Sequence, residues 1–110
     1  MVFIALEHFY FLILEMFLWT TKKGIRTFGL ESKEFAYKTK VLAANQGLYN
    51  GFLAAGVLYS LFKADTNVAV FFLICIAIAG IYGAFSTKNI RLFYIQSIPA
   101  IFAISLLYLT

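Results

Sequence analysis

Glu7, His8 and Glu15 stand among aliphatic and aromatic residues in the first twenty positions, where ionisable side chains are costly unless they face one another or a partner. At about 100° per helical residue, His8, Glu15 and Trp19 fall along one stripe, with Glu7 to one side of it. Two chemistries fit Glu15: a proton-coupling or ligand-binding carboxylate, and a carboxyl group that hydrogen-bonds helices together. Glu7 is expected nearer the headgroups, as a second polar group beside His8. The chain holds a single histidine, so haem or metal ligation by His8 lacks a second imidazole, and neither a cofactor nor a metal is expected.

The densest polar signal is Asn45-Gln46-Gly47-Leu48-Tyr49-Asn50-Gly51. Gln46 and Asn50 are four apart and so share a face, and Asn45 and Tyr49 form a neighbouring pair. Gly47, Gly51 and Ala55 are spaced as a small-residue ladder, which lets a second backbone approach closely. Amides and glycines are the usual glue of membrane helix pairs. Yet so many hydrogen-bonding side chains in so short a stretch exceed what packing alone requires. Further on, Gly80, Tyr82, Gly83 and Ala84 read as packing, while Gln96, Ser97 and Pro99 predict a kink that widens a pocket or shapes a contact. Cys75 is the sole cysteine and reads as a small packed side chain. No glycine-rich phosphate loop, nucleophile elbow or HExxH is present.

The elements that hold these residues follow from composition. Of 110 residues, 63% are hydrophobic and 13% charged, half the charge usual in soluble domains. A soluble fold of this length cannot hide so much apolar surface. Four continuous apolar runs, at about 1–19, 41–62, 68–86 and 91–110, each approach the roughly 20 residues a helix needs to cross hydrocarbon. Their continuity favours helices over barrel strands. Ser32 is the expected N-cap with Glu34 in the turn that follows, so the second helix is expected to start near Lys33. The prediction is an all-α, polytopic four-transmembrane-helix bundle in one domain, with helices at about 1–19, 33–62, 68–86 and 91–110. The apolar start lacks a basic n-region and a small-x-small cleavage site, and is expected to be a retained span.

Charge sets the expected orientation. Lys22, Lys23, Arg26, Lys33, Lys38, Lys40, Lys88 and Arg91 fall in the first and third connections, whereas the second carries only Lys63, beside Asp65. Eight of nine basic residues thus lie on one side, predicted to be cytoplasmic, with both termini outside. Because the net charge of +4 sits in short connections, a nucleic-acid role is not expected. Alternating spans bring Glu15, Asn45, Gln46, Tyr49, Asn50 and Gln96 within roughly 15 Å of one membrane face. A polar cluster in the inner leaflet is therefore expected.

Glu7-His8, the run Leu14-Glu15-Met16-Phe17-Leu18-Trp19-Thr20-Thr21, Phe28-Gly29 and, above all, Ala43 through Gly56 resemble the bacterial membrane family DUF1304. Gln96 and Pro99-Ala100 fit its last helix, and the third helix matches loosely. The resemblance implies a four-helix protein of the bacterial cytoplasmic membrane with a few more residues before the first motif; it carries no activity, substrate or cofactor.

Three functions compete. In the first, Glu15 and the Asn45–Asn50 segment line a site for a small lipophilic or cationic molecule, in a protein that binds or transports it and can form a homo-oligomer. In the second, the polar residues only cement helices or dock a partner. In the third, Glu15 or His8 serves as acid–base group in an enzyme acting on a lipid or isoprenoid; an enzyme is the less favoured class. The bilayer is the expected surrounding in all three.

Overall fold

The computed structural model describes residues 1–109, and every element among them is helical. The helices are α1 (Val2–Met16), α2 (Lys22–Phe28), α3 (Lys33–Phe62), α4 (Thr66–Thr87) and α5 (Ile98–Leu109), with a π turn over Phe93–Ser97 leading into α5. The chain forms two compact units. One is Leu6–Ala54; the other combines Met1–Ala5 with the chain from Ala55 onward.

Among the described residues, only α4 is both long and apolar enough to cross a membrane by length and composition. The other three predicted spans fall short for separate reasons. α1 stops at 15 residues, because Phe17 N–H and Leu18 N–H both turn back to the Ile13 carbonyl, at 3.0 and 3.2 Å. α3 runs for 30 residues but carries three lysines and a glutamate in its first turns, and Asn45, Gln46 and Asn50 dilute the apolar remainder. The last is a shorter apolar helix, Phe93–Leu109, with the π turn at its start.

In the unit Leu6–Ala54, the basic connection is ordered rather than open. Thr21 caps α2 by accepting the Gly24 N–H at 3.3 Å while its hydroxyl donates to the Leu18 carbonyl at 2.6 Å. A side chain at Gly24 would run into the Leu18 carbonyl, so only glycine lets α2 fold back on the preceding turn. Gly29 closes α2 in the left-handed conformation, φ 62°, and Leu30 N–H returns to the Ile25 carbonyl at 3.0 Å. Ser32 then caps α3 by accepting the Phe35 N–H at 3.0 Å, at the place its residue type predicted.

In the other unit, Asp65 caps α4 by accepting the Val68 N–H at 3.2 Å. The buried Ser97 hydroxyl donates to the Ala77 carbonyl at 2.7 Å, and Gly80 lies directly against Ser97. α4 thus packs on the π turn backbone to backbone. Pro99 has no N–H and its ring would press on a carbonyl one turn back; the wider π turn before it relieves that conflict.

Candidate functional site

Two small residues on α3 decide how closely α1 can lie. A Cβ on Gly47 would stand 2.7 Å from Met16 Cγ, 3.1 Å from Glu15 Cβ and 3.2 Å from the Leu12 carbonyl oxygen. One on Gly51 would stand 2.5 Å from Leu12 Cδ1. The buried stripe of α3 in this unit runs Ala36, Ala43, Gly47, Asn50, Gly51 and Ala54, at helical spacing. It continues through Ala54; Ala55, the rung the ladder spacing suggested, is exposed.

That close approach brings Asn50 onto Glu15. The Asn50 amide Nδ2 donates to Glu15 Oε1 at 2.5 Å, with the residues 5% and 7% exposed. The carboxyl group therefore meets a neutral donor on the neighbouring helix.

The other residues singled out by type lie differently. Asn45, Gln46 and Tyr49 are exposed on α3 and make no hydrogen bond among the described residues; Tyr49 is 56% exposed. Gln46 and Asn50 are four apart, yet one is exposed and the other buried, because the contact with α1 is narrow. Gln96 is half-buried in the π turn beside Gly80, in the other unit. His8 is fully buried, its Nδ1 3.9 Å from Glu7 Oε1 and its ring edge-on to Phe11 at 5.3 Å. Trp19 lies beyond the end of α1. Its indole N–H donates to Thr39 Oγ1 at 3.0 Å, and its ring rests on Phe28 at 4.9 Å.

Three connections escaped sequence reasoning: Asn50 as the particular partner of Glu15, the Trp19–Thr39 bond and the Ser97–Ala77 bond. Trp19 carried one usable signal, since an indole N–H that is partly buried needs an acceptor. Among the described residues no three histidine, cysteine or acidic side chains converge as metal ligands. Two open apolar hollows, of about 880 and 420 Å³, lie in the unit that contains α4 and α5. Neither is lined by Glu15, Asn50 or Gln96.

These features define a small all-helical protein whose buried polar residues are joined between or within helices. A family model described as "Protein of unknown function (DUF1304)" matches residues 2–108, nearly the whole chain. The chain is also 33% identical over 104 residues to "Uncharacterized protein YpaA" of Lactococcus lactis subsp. lactis (strain IL1403), across 92% of this chain and 87% of that one. No solved structure matches it. The chain belongs to the DUF1304 family.

Proposed function

We propose that this is a four-span accessory protein of the bacterial cytoplasmic membrane, in which the Glu15–Asn50 pair fastens α1 to α3 and the exposed amides of α3 dock a partner. The observation that carries the fastening role is the Asn50 amide on Glu15 Oε1 in a tight helix contact. A carboxylate that awaits a ligand would face a hollow lined by other polar groups. Here Asn45, Gln46 and Tyr49 lie on the exposed side of α3 instead.

Membrane embedding is supported by where the apolar surface goes. The most apolar stretch of α4 is only 28% buried, whereas the core helix of a soluble protein would be mostly covered. Phe3, Leu6, Ile13 and Phe17 along the first apolar run, and Ile101, Phe102, Leu106 and Leu109 on α5, are exposed as well. With α1 short, Phe17, Leu18 and Trp19 lengthen its apolar run at one end, and local thinning of the bilayer accommodates the rest. The basic first and third connections then face the cytoplasm and both termini face outward.

The reading is tested by making Glu15→Gln and Glu15→Leu in protein purified from membranes. Glutamine keeps an oxygen for Asn50 and should leave thermal stability nearly unchanged, while leucine should lower it. Equal stability of both variants, with saturable binding of a lipophilic cation lost in Glu15→Gln, would favour the ligand-binding reading instead.

A further inference from the structure

We infer that α2 forms a prebuilt platform for the phosphate groups of anionic lipids, with Lys22, Lys23 and Arg26 as its contacts; the inference rests on the membrane reading above. Residues 20–40 hold six basic side chains and two acidic ones, so the chain's whole surplus of +4 lies in this one segment. Everywhere else, Lys63, Lys88 and Arg91 are balanced by Glu7, Glu15 and Asp65.

Within the segment the charges are not equivalent. Lys38 is engaged by Glu34 at 3.3 Å, and Lys40 lies over the Tyr37 ring at 5.5 Å. Lys22 and Arg26 are exposed, four apart on one face of α2, and have no acidic partner among the described residues. Lys23 is exposed too, its ammonium 5.9 Å from the Tyr10 ring of α1. The opposite face of α2 holds buried Gly24 and half-buried Ile25 and Phe28. That division of polar and apolar faces is the pattern of a helix lying at a membrane surface.

Order distinguishes this segment from a simple topology signal. Basic residues set orientation equally well in an unstructured loop. Here α2 is capped at both ends, seated through Gly24 and braced by Trp19, which bonds Thr39 and rests on Phe28. The partner that fits is a phosphodiester at the bilayer surface. Only five residues separate the end of α1 from Lys22, which keeps the platform at the hydrocarbon boundary, and a guanidinium suits two phosphate oxygens at once.

Trp19, the chain's sole tryptophan, reports on this site. The protein is reconstituted into vesicles containing phosphatidylcholine or phosphatidylglycerol with brominated acyl chains, and quenching of Trp19 is read in mixtures of the two. Wild type should prefer phosphatidylglycerol around Trp19, and the variant with Lys22→Gln, Lys23→Gln and Arg26→Gln should lose about tenfold of that preference. Lys63→Gln should keep it. Unchanged helical circular dichroism of the triple variant would assign its loss to charge. Equal quenching by both lipids in wild type, or the same preference in the triple variant, would overturn the inference. Displacement by millimolar inorganic phosphate would likewise overturn it, in favour of a soluble anion. Recovery of the chain in water without detergent would overturn the membrane reading as well.

Discussion

Asn50 donates its side-chain amide to Glu15 across the contact of α1 with α3, and both residues are shut off from solvent at that point. The bond depends on the backbones lying close, and therefore on Gly47 and Gly51. Sequence, packing and polar chemistry meet in this pair. In hydrocarbon, an amide or carboxyl without a partner costs several kcal/mol, roughly 2–7 depending on the reference.

Gly47→Leu should separate α1 from α3, because its side chain would push into Met16, Glu15 and the Leu12 backbone. A loss of about 2 kcal/mol is expected, the scale of overpacking in a close contact. Ala55→Leu, at an exposed position, should cost less than about 0.5 kcal/mol. Thermal unfolding of the two variants in the same detergent compares them directly.

Gly80→Ala is expected to destabilise although alanine is the better helix former by about 1 kcal/mol. Its methyl group would overlap Ser97 Oγ and stand 2.9 Å from the Ser97 backbone nitrogen. Ser97→Ala removes the bond to the Ala77 carbonyl and should cost about 1 kcal/mol. A melting temperature for Gly80→Ala above that of wild type would show that the helices can separate freely there.

Trp19→Phe keeps a ring against Phe28 but loses the N–H that reaches Thr39. The connection between α1 and α3 should loosen by about 1 kcal/mol while the helices themselves persist. Hydrogen exchange resolves this: amides of residues 20–32 should exchange faster, and those of α4 should not change.

Asn45→Ala, Gln46→Ala and Tyr49→Ala touch exposed side chains without hydrogen bonds in the chain, so each should leave its stability within about 0.5 kcal/mol of wild type. If α3 docks a partner, the same variants should reduce recovery of whatever co-purifies with the wild-type protein. Melting curves and co-purification on one preparation separate the two effects.

How much could be read in advance follows from what each signal depends on. Continuous apolar runs and the Ser32 cap are local, and helices with α3 starting at Lys33 followed from them. Glu15 and Asn50 stood out by type, since each is costly in an apolar stretch. Which amide of α3 meets Glu15 was not readable: Gln46 and Asn50 sit nearly above one another, and only the rotation imposed by Gly47 and Gly51 selects Asn50. The short α2 was hidden because Lys22–Phe28 contains a glycine and too few apolar residues to show a period. The early end of α1, inside an unbroken apolar run, comes from backbone bonds at Ile13 that no residue type announces.

The most direct test of the fastening role is a double-mutant cycle: wild type, Glu15→Ala, Asn50→Ala and the double variant, unfolded in lipid-like micelles. The pair should couple by about 0.6 to 1.7 kcal/mol, the range of hydrogen bonds between membrane helices. A coupling indistinguishable from zero, with the two single substitutions simply additive, would contradict it.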